Sequence, residues 1–266
     1  MRIDISDADD PAIAAYRDVR ERDLVRRDGL FIAEGKSVLA VLGAQSRFAL
    51  HSVLVLENRL GSIEGILVRL APDVPVYIVN RQVMDAIAGF PMHRGILALA
   101  RKPDTTTPAL DTSQWRRVVA LSAIANHDNM GAIFRNAAAF GADAVLLDPQ
   151  CCDPLYRKAI RVSVGGVLKV PFRIFETTDA MLDWLYAENF ETVGLSPSAP
   201  QSVHNWKPAP KTALLMGAEG PGLSPQTLAR VTGLSIPMAP GFDSLNVATA
   251  TGIALAHVFH ADNSTG

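Results

Sequence analysis

Only two cysteines occur in the 266 residues, and they are neighbours, Cys151 and Cys152. Adjacent thiols do not make a disulfide framework, and nothing nearby completes a zinc-ligand spacing. Charge of one sign is also missing: 25 Lys and Arg stand against 27 Asp and Glu, a net of -2. That excludes a protein that coats nucleic acid by bulk electrostatics, but a local basic patch stays open, because steering depends on where charges lie. No uncharged apolar run approaches the roughly 20 residues that span a bilayer. The acidic start, Met1 to Asp10, lacks the apolar core of a signal peptide. Histidines 51, 93, 127 and 204 are scattered singles. His257 and His260 lie three apart on one helical stretch without a partner ligand, so no metal is expected. A reduced, cytoplasmic protein without membrane attachment is the expectation.

What is present is an alternation of strand-like and helix-like runs, which implies a parallel sheet covered by helices. Asp10-Pro11 reads as an N-cap with proline at the first helical position. The following helix carries Val19 and Leu24 with arginines 17, 20, 22, 26 and 27, either a solvated face or an RNA-backbone contact. Strand-like runs at 30–33, 52–56, 76–79 and 96–100 alternate with helix-like runs at 36–45, 60–70 and 83–88. This is a small α/β domain over residues 1–104. Residues 105–114, rich in threonine and proline, read as a linker. A second domain over 115–266 carries strands at 118–121, 144–147, 170–175, 192–195, 212–216 and 234–237. Helices are expected at 132–140, 155–162, 180–186, 225–229 and 245–259.

Three glycine-punctuated loops in that second domain each follow a strand-like run and lead toward a helix. They are Asn126 to Asn136, Leu214 to Ser224 and Ile236 to Val247. Each is therefore expected at the carboxyl edge of the sheet, where open α/β sheets bind ligands. Near-miss motifs drop out. Gly35-Lys36-Ser37 resembles the end of a P-loop, but position 30 is leucine where that motif needs glycine. Gly217 to Gly222 has Glu219 where a dinucleotide fingerprint needs glycine.

Taken together, Asn129-Met130-Gly131-Ala132-Ile133-Phe134-Arg135, Gly217-Ala218-Glu219-Gly220-Pro221-Gly222-Leu223-Ser224, and Ile236-Pro237-Met238 with Ser244-Leu245-Asn246-Val247 resemble the three motifs of the SpoU/TrmH family. These are RNA ribose 2′-O-methyltransferases of the SPOUT superfamily. The first domain, with Phe31 to Gly35 and His93 to Leu99, is similar to the ribosomal-protein-like substrate-binding domain that often precedes the catalytic one. The resemblance implies a parallel α/β sheet whose C-terminal part is threaded into a trefoil knot, which general topology rules make rare. It implies S-adenosylmethionine bound through main-chain groups at Gly217, Ile236 and Leu245, with Met216 and Met238 beside them. It also implies a homodimer acting on ribosomal or transfer RNA.

By the same resemblance Arg135 is catalytic, with Asn129 holding it or the RNA. A guanidinium resists deprotonation, so Arg135 is expected to grip the phosphate next to the target ribose and to stabilise charge on the 2′-oxygen. Glu219 is a candidate base or an organiser of loops and ligands. Ser244 and Asn246 are expected to lock the third loop. Ordinary structural roles compete: Asn129 and Ser244 are both good N-cap residues, and an arginine near a helix start is often an ion-pair partner. Arg157, Lys158 and Arg161 are candidate RNA-phosphate contacts, with a solvated helix face as the alternative. Asn136 stands where many relatives have threonine, His127-Asp128 replaces a common Asp-Pro, and Ala248 stands where serine is frequent. Two other functions remain open: an inactive RNA-binding or assembly relative, and a base methyltransferase on the same scaffold.

Overall fold

A computed structural model describes residues 1–17, 29–45, 47–88, 94–102 and 111–263. The arginine-bearing helix expected after Arg17, His93 and most of the linker lie outside the described residues. The chain separates into two compact units: residues 1–109 with 154–169, and residues 110–153 with 170–266.

In the first unit, β1 (Arg2–Ile5) leads into a short 3-10 helix, Pro11–Tyr16. Asp10 caps that helix by accepting a hydrogen bond from the Ala12 amide. Then come β2 (Leu30–Glu34), α1 (Lys36–Gln45) and β3 (Ala49–Leu56). They are followed by α2 (Leu60–Leu67), β4 (Val76–Val79), α3 (Arg81–Ala88) and β5 (Ile96–Arg101). The sheet order is β1-β4-β3-β5-β2. β1, β4 and β3 run parallel, and β5 is antiparallel to both β3 and β2. One core cluster joins Ile13, Tyr16, Leu54, Leu56, Met84 and Leu97. Tyr16 stays satisfied there by a 2.7 Å hydrogen bond with Ser52, while burial pushes its phenol pKa up.

The second unit opens with β6 (Arg117–Leu121), α4 (His127–Ala139) and β7 (Ala144–Leu147). Two short helices, α5 (Arg157–Val162) and α6 (Gly166–Lys169), follow in sequence but pack with the first unit. The second unit resumes with β8 (Phe172–Ile174), α7 (Thr178–Ala187), β9 (Glu191–Leu195) and β10 (Gln201–Ser202). It closes with β11 (Thr212–Met216), α8 (Pro225–Leu228), β12 (Thr232–Ser235) and α9 (Val247–Asn263). All pairings are parallel, in the order β10-β12-β9-β11-β6-β7-β8. β6, β11 and β7 are buried on both faces as continuous apolar runs, the pattern of a helix-covered parallel sheet. On one face Trp184 of α7 packs its ring against Trp115, Phe175 and Phe190. Aromatic burial of this kind stabilises by roughly 1.5–3 kcal/mol per side chain. Among the described residues, no helix is long and apolar enough to cross a membrane.

From β6 the chain moves outward through β7 to β8, then returns to lay β9 on the other side. β11 later inserts between β9 and β6. That reversal is the switch point at which such sheets place their ligands.

Candidate active site

The three glycine-rich loops leave the carboxyl ends of β6, β11 and β12, as the sequence predicts. With the turn after β9 they stand over four adjacent strands. Each loop has a local reason for its shape. After β6, Ala123 takes a left-handed φ of 57°. The carboxylate of buried Asp148 accepts from its amide, at 3.1 and 3.2 Å, and from the Ser122 hydroxyl at 2.8 Å. Asp148 also accepts from the amides of Gln150 and Cys151 and from the Thr178 hydroxyl. One carboxylate thus ties the β6 loop to the β7 loop and to the start of α7. Sequence reasoning missed it, although a lone acid directly after the apolar Ala144–Leu147 run was a visible signal.

The second loop folds back on itself. Gly222 donates its amide to the Ala218 carbonyl at 3.0 Å. A Cβ on Gly217 would stand 2.4 Å from the Gly222 carbonyl carbon and 2.5 Å from the Leu223 nitrogen. Only glycine permits that backbone-on-backbone approach. The third loop runs from Ile236 to Asn246 without regular structure and delivers the chain to α9.

Side chains from all three loops meet. Buried Asn129 donates through Nδ2 to Glu219 Oε1. Asn246 donates to Asn129 Oδ1 at 2.8 Å and lies 3.5 Å from Glu219. The Asn246 side-chain oxygen accepts from the amides of Ala248 and Thr249 at 2.9 and 3.3 Å, so Asn246 caps α9. The cap of α4 is Asn126. The N-cap roles considered for Asn129 and Ser244 are therefore replaced: the side chains of Asn126 and Asn246 accept from the first-turn amides of the two helices. Ser244 is exposed and donates to Asp243 at 3.2 Å.

Beside this network lies a cavity of about 490 Å³, within the range of small-molecule sites. Met216, Gly217, Ile236, Met238 and Leu245 all line it, as do Glu219, Ser244 and Asn246. The turn after β9, Leu195 to Pro197, supplies a further wall that the sequence reading did not include. Among the described residues, Glu219 is the one charged side chain of the lining. Asn129 and Arg135 do not line it. Arg135 is exposed on α4 and, among the described residues, makes no hydrogen bond or ion pair, so the ion-pair role weighed for it is not what the fold gives.

Two departures noted in the sequence touch each other. Asn136 donates to the Ala248 carbonyl at 2.7 Å, joining α4 to α9. His257 lies against Trp206, with 5.9 Å between ring centroids and its Nε2 2.9 Å from the Trp206 carbonyl. Among the described residues no cluster of three metal-ligating side chains occurs. In the first unit's share of the chain, Arg161 reaches buried Glu34 at 3.5 Å and Arg157 reaches it at 4.0 Å. Lys158 is exposed on the same helix. This helix is neither wholly solvated nor wholly free for RNA.

Fold and site thus define an α/β protein with a small-molecule cavity over the switch point of a parallel sheet. The sequence profile of the SpoU rRNA methylase family matches residues 116–256, and the chain belongs to that family of RNA methyltransferases. An uncharacterized tRNA/rRNA methyltransferase of Mycobacterium bovis, Mb0905, is 36% identical over 94% of this chain and 89% of its own length. The 23S rRNA (guanosine-2′-O-)-methyltransferase RlmB of Escherichia coli is 31% identical over 68% of this chain and 77% of its own. The crystal structure of an AdoMet-bound rRNA methyltransferase from Sinorhizobium meliloti shares the fold. Its TM-score is 0.80 at 22% identity, with 97% of this chain and 98% of that one covered.

Proposed function

We propose that the protein transfers a methyl group from S-adenosylmethionine to the 2′-hydroxyl of a ribose in structured RNA, with ribosomal RNA the preferred class. The observation that carries this reading is the Asn129–Glu219–Asn246 network, which joins all three family motifs at the rim of one cofactor-sized cavity. The residues fit the cofactor. A sulfonium is cationic, and among the described residues the lining offers one carboxylate and no cation. The Gly217 backbone is bare, and Ile236, Met238 and Leu245 give apolar walls with main-chain polar groups between them. When bound, S-adenosylmethionine supplies an activated methyl group, so the protein's tasks are alignment and proton removal. Alignment lowers such a barrier by several kcal/mol.

Asn129, Glu219 and Asn246 fix the three loops against each other, and Ser244 sits at the cavity wall beside them. Arg135 keeps its proton and grips the phosphate next to the target ribose, stabilising charge on the 2′-oxygen. Its guanidinium is exposed and, among the described residues, unpaired, which is what such a role needs. Because Arg135 does not line the cavity of its own chain, we further propose a homodimer in which a second copy helps to complete the site. The trefoil threading belongs to the same proposal; the late insertion of β11 between β6 and β9 supports it.

The test is transfer of a radiolabelled methyl group to ribosomal RNA, followed by alkaline hydrolysis. Label in alkali-resistant dinucleotides supports ribose methylation. Label released with a mononucleotide base overturns it in favour of base methylation. Donor binding without transfer to any RNA favours an inactive relative.

A further inference from the structure

The first unit contains a second cavity, of about 520 Å³, at the point where β2 ends and α1 begins. Lys36, Arg59, Arg94 and Arg161 line it, with Glu34 as its one carboxylate. Glu34 is buried and already engaged by Arg161 and Arg157. Lys36, Arg59 and Arg94 make no side-chain hydrogen bond or ion pair among the described residues, and all three are exposed. Like charges gathered round one cavity repel each other, so the arrangement is relieved by an anion.

The backbone adds to it. Gly35, at φ 106°, is the last residue before α1, and a Cβ there would lie 3.2 Å from Arg94 Nη1. The absent side chain therefore leaves room for the Arg94 guanidinium over the first turn of α1. Among the described residues no side chain caps that turn, and free amides at a helix start favour negative charge.

We infer that this cavity is a phosphate-binding site that holds the backbone of the RNA substrate on the first unit. The inference rests on the RNA substrate proposed above. A free nucleotide is the weaker fit: among the described residues the lining has no aromatic ring to stack a base, and leucine at position 30 breaks the P-loop pattern. Cations without base-reading groups position a nucleic acid without reading its sequence. Arg161 is thereby placed with three cations that motif reading did not select. Glu34 is a positioning residue, holding the Arg161 guanidinium at the cavity wall.

The experiment uses the full chain and a fluorescent RNA hairpin. Affinity is measured over a range of salt concentrations for the wild type, for Lys36→Gln, Arg59→Gln and Arg94→Gln, and for the exposed control Arg69→Gln. Each lost phosphate contact lowers the steepness of log Kd against log salt by about one. The three cavity variants are expected to show that loss, at unchanged thermal melting and unchanged S-adenosylmethionine affinity; Arg69→Gln is expected to keep the wild-type slope. Wild-type slopes in all three cavity variants overturn the inference. So does inorganic phosphate that saturates the cavity, seen by shifts of the Arg59 and Arg94 side-chain resonances, without weakening RNA binding. Slope losses of the expected pattern with no methyl transfer strike the proposed reaction and leave this site standing.

Discussion

The cavity among the C-terminal loops and the cavity at the start of α1 are close in volume, about 490 and 520 Å³, yet their polar groups are in opposite states. In the first, Asn129, Glu219 and Asn246 satisfy one another before any ligand arrives, and the walls are backbone and apolar side chains. In the second, three cations have no side-chain partner among the described residues. A site whose polar groups are already paired is preorganised and binds through shape, so its ligand affinity depends little on salt. A site of unpaired cations depends on an anion to complete it, and its affinity falls as salt rises. That difference is what the proposed cofactor pocket and the proposed nucleic-acid contact each require, and substitutions can break it from either side.

The largest effect is expected from Gly217→Ala. The new Cβ meets backbone atoms of Gly222 and Leu223, which cannot swing aside as a side chain can. The turn must open, and calorimetry is expected to find no S-adenosylmethionine binding. Retained affinity would show that the turn relaxes and that the cavity is not shaped by it. Next comes Arg135→Ala. Loss of a preorganised donor facing developing charge costs roughly 10²–10³ in turnover. Because Arg135 lies outside the cavity lining, cofactor affinity is expected to stay within about twofold, a bound of roughly 0.4 kcal/mol. Full turnover in this variant removes Arg135 from the mechanism. Asn129→Ala leaves Glu219 only the longer 3.5 Å contact with the Asn246 amide and cuts the link between the first and second loops. An expected rise of about tenfold in the cofactor Kd corresponds to roughly 1.4 kcal/mol, with the salt slope of RNA binding unchanged.

The unequal legibility of these two regions in the sequence has a physical basis. Ala144–Leu147 and Thr212–Met216 were readable to the residue, because strands buried on both faces are continuous apolar runs bounded by polar residues. β1 and β10 were not. β1 is a four-residue edge strand with Asp4 at its centre, and β10 has two residues. The expected strand at 234–237 lies at Thr232–Ser235, since Ile236 and Pro237 look strand-like but have already left the sheet, Ile236 to line the cavity. In the site, the five residues expected to bind the cofactor share one cavity because loop motifs are local. The Asn129–Glu219 bond spans 90 residues, and no local pattern announces which carboxylate pairs with which amide. The roles of Asn126 and Asn246 as caps were exchanged with Asn129 and Ser244 for the same reason. Several candidates stood within a few residues, and only the backbone geometry selects among them. The basic cavity was the least legible. Lys36, Arg59, Arg94 and Arg161 are dispersed in sequence and join only when the starts of α1, α2 and β5 are assembled with α5.

The smallest expected effect tests how the paired state of the C-terminal site is maintained from behind. A Cβ on Gly252 would lie 3.0 Å from the Asn136 amide nitrogen and 3.4 Å from its Cγ, and Asn136 is the residue that bonds the Ala248 carbonyl next to the Asn246 cap. Gly252→Ala therefore carries two opposed consequences. Alanine in a helix interior gains about 0.8–1 kcal/mol over glycine. Displacing Asn136 by a few tenths of an ångström weakens a half-buried hydrogen bond worth about 1 kcal/mol. In the wild-type background these nearly cancel, and the melting temperature is expected to move little. In an Asn136→Ala background the clash is gone and the helix gain remains, so Gly252→Ala is expected to stabilise by close to its full propensity difference. The coupling in this double-mutant cycle, read from denaturant titrations of the four proteins, is expected near 1 kcal/mol. Additive behaviour would mean that the Asn136–Ala248 bond does not brace the helix that carries the third loop.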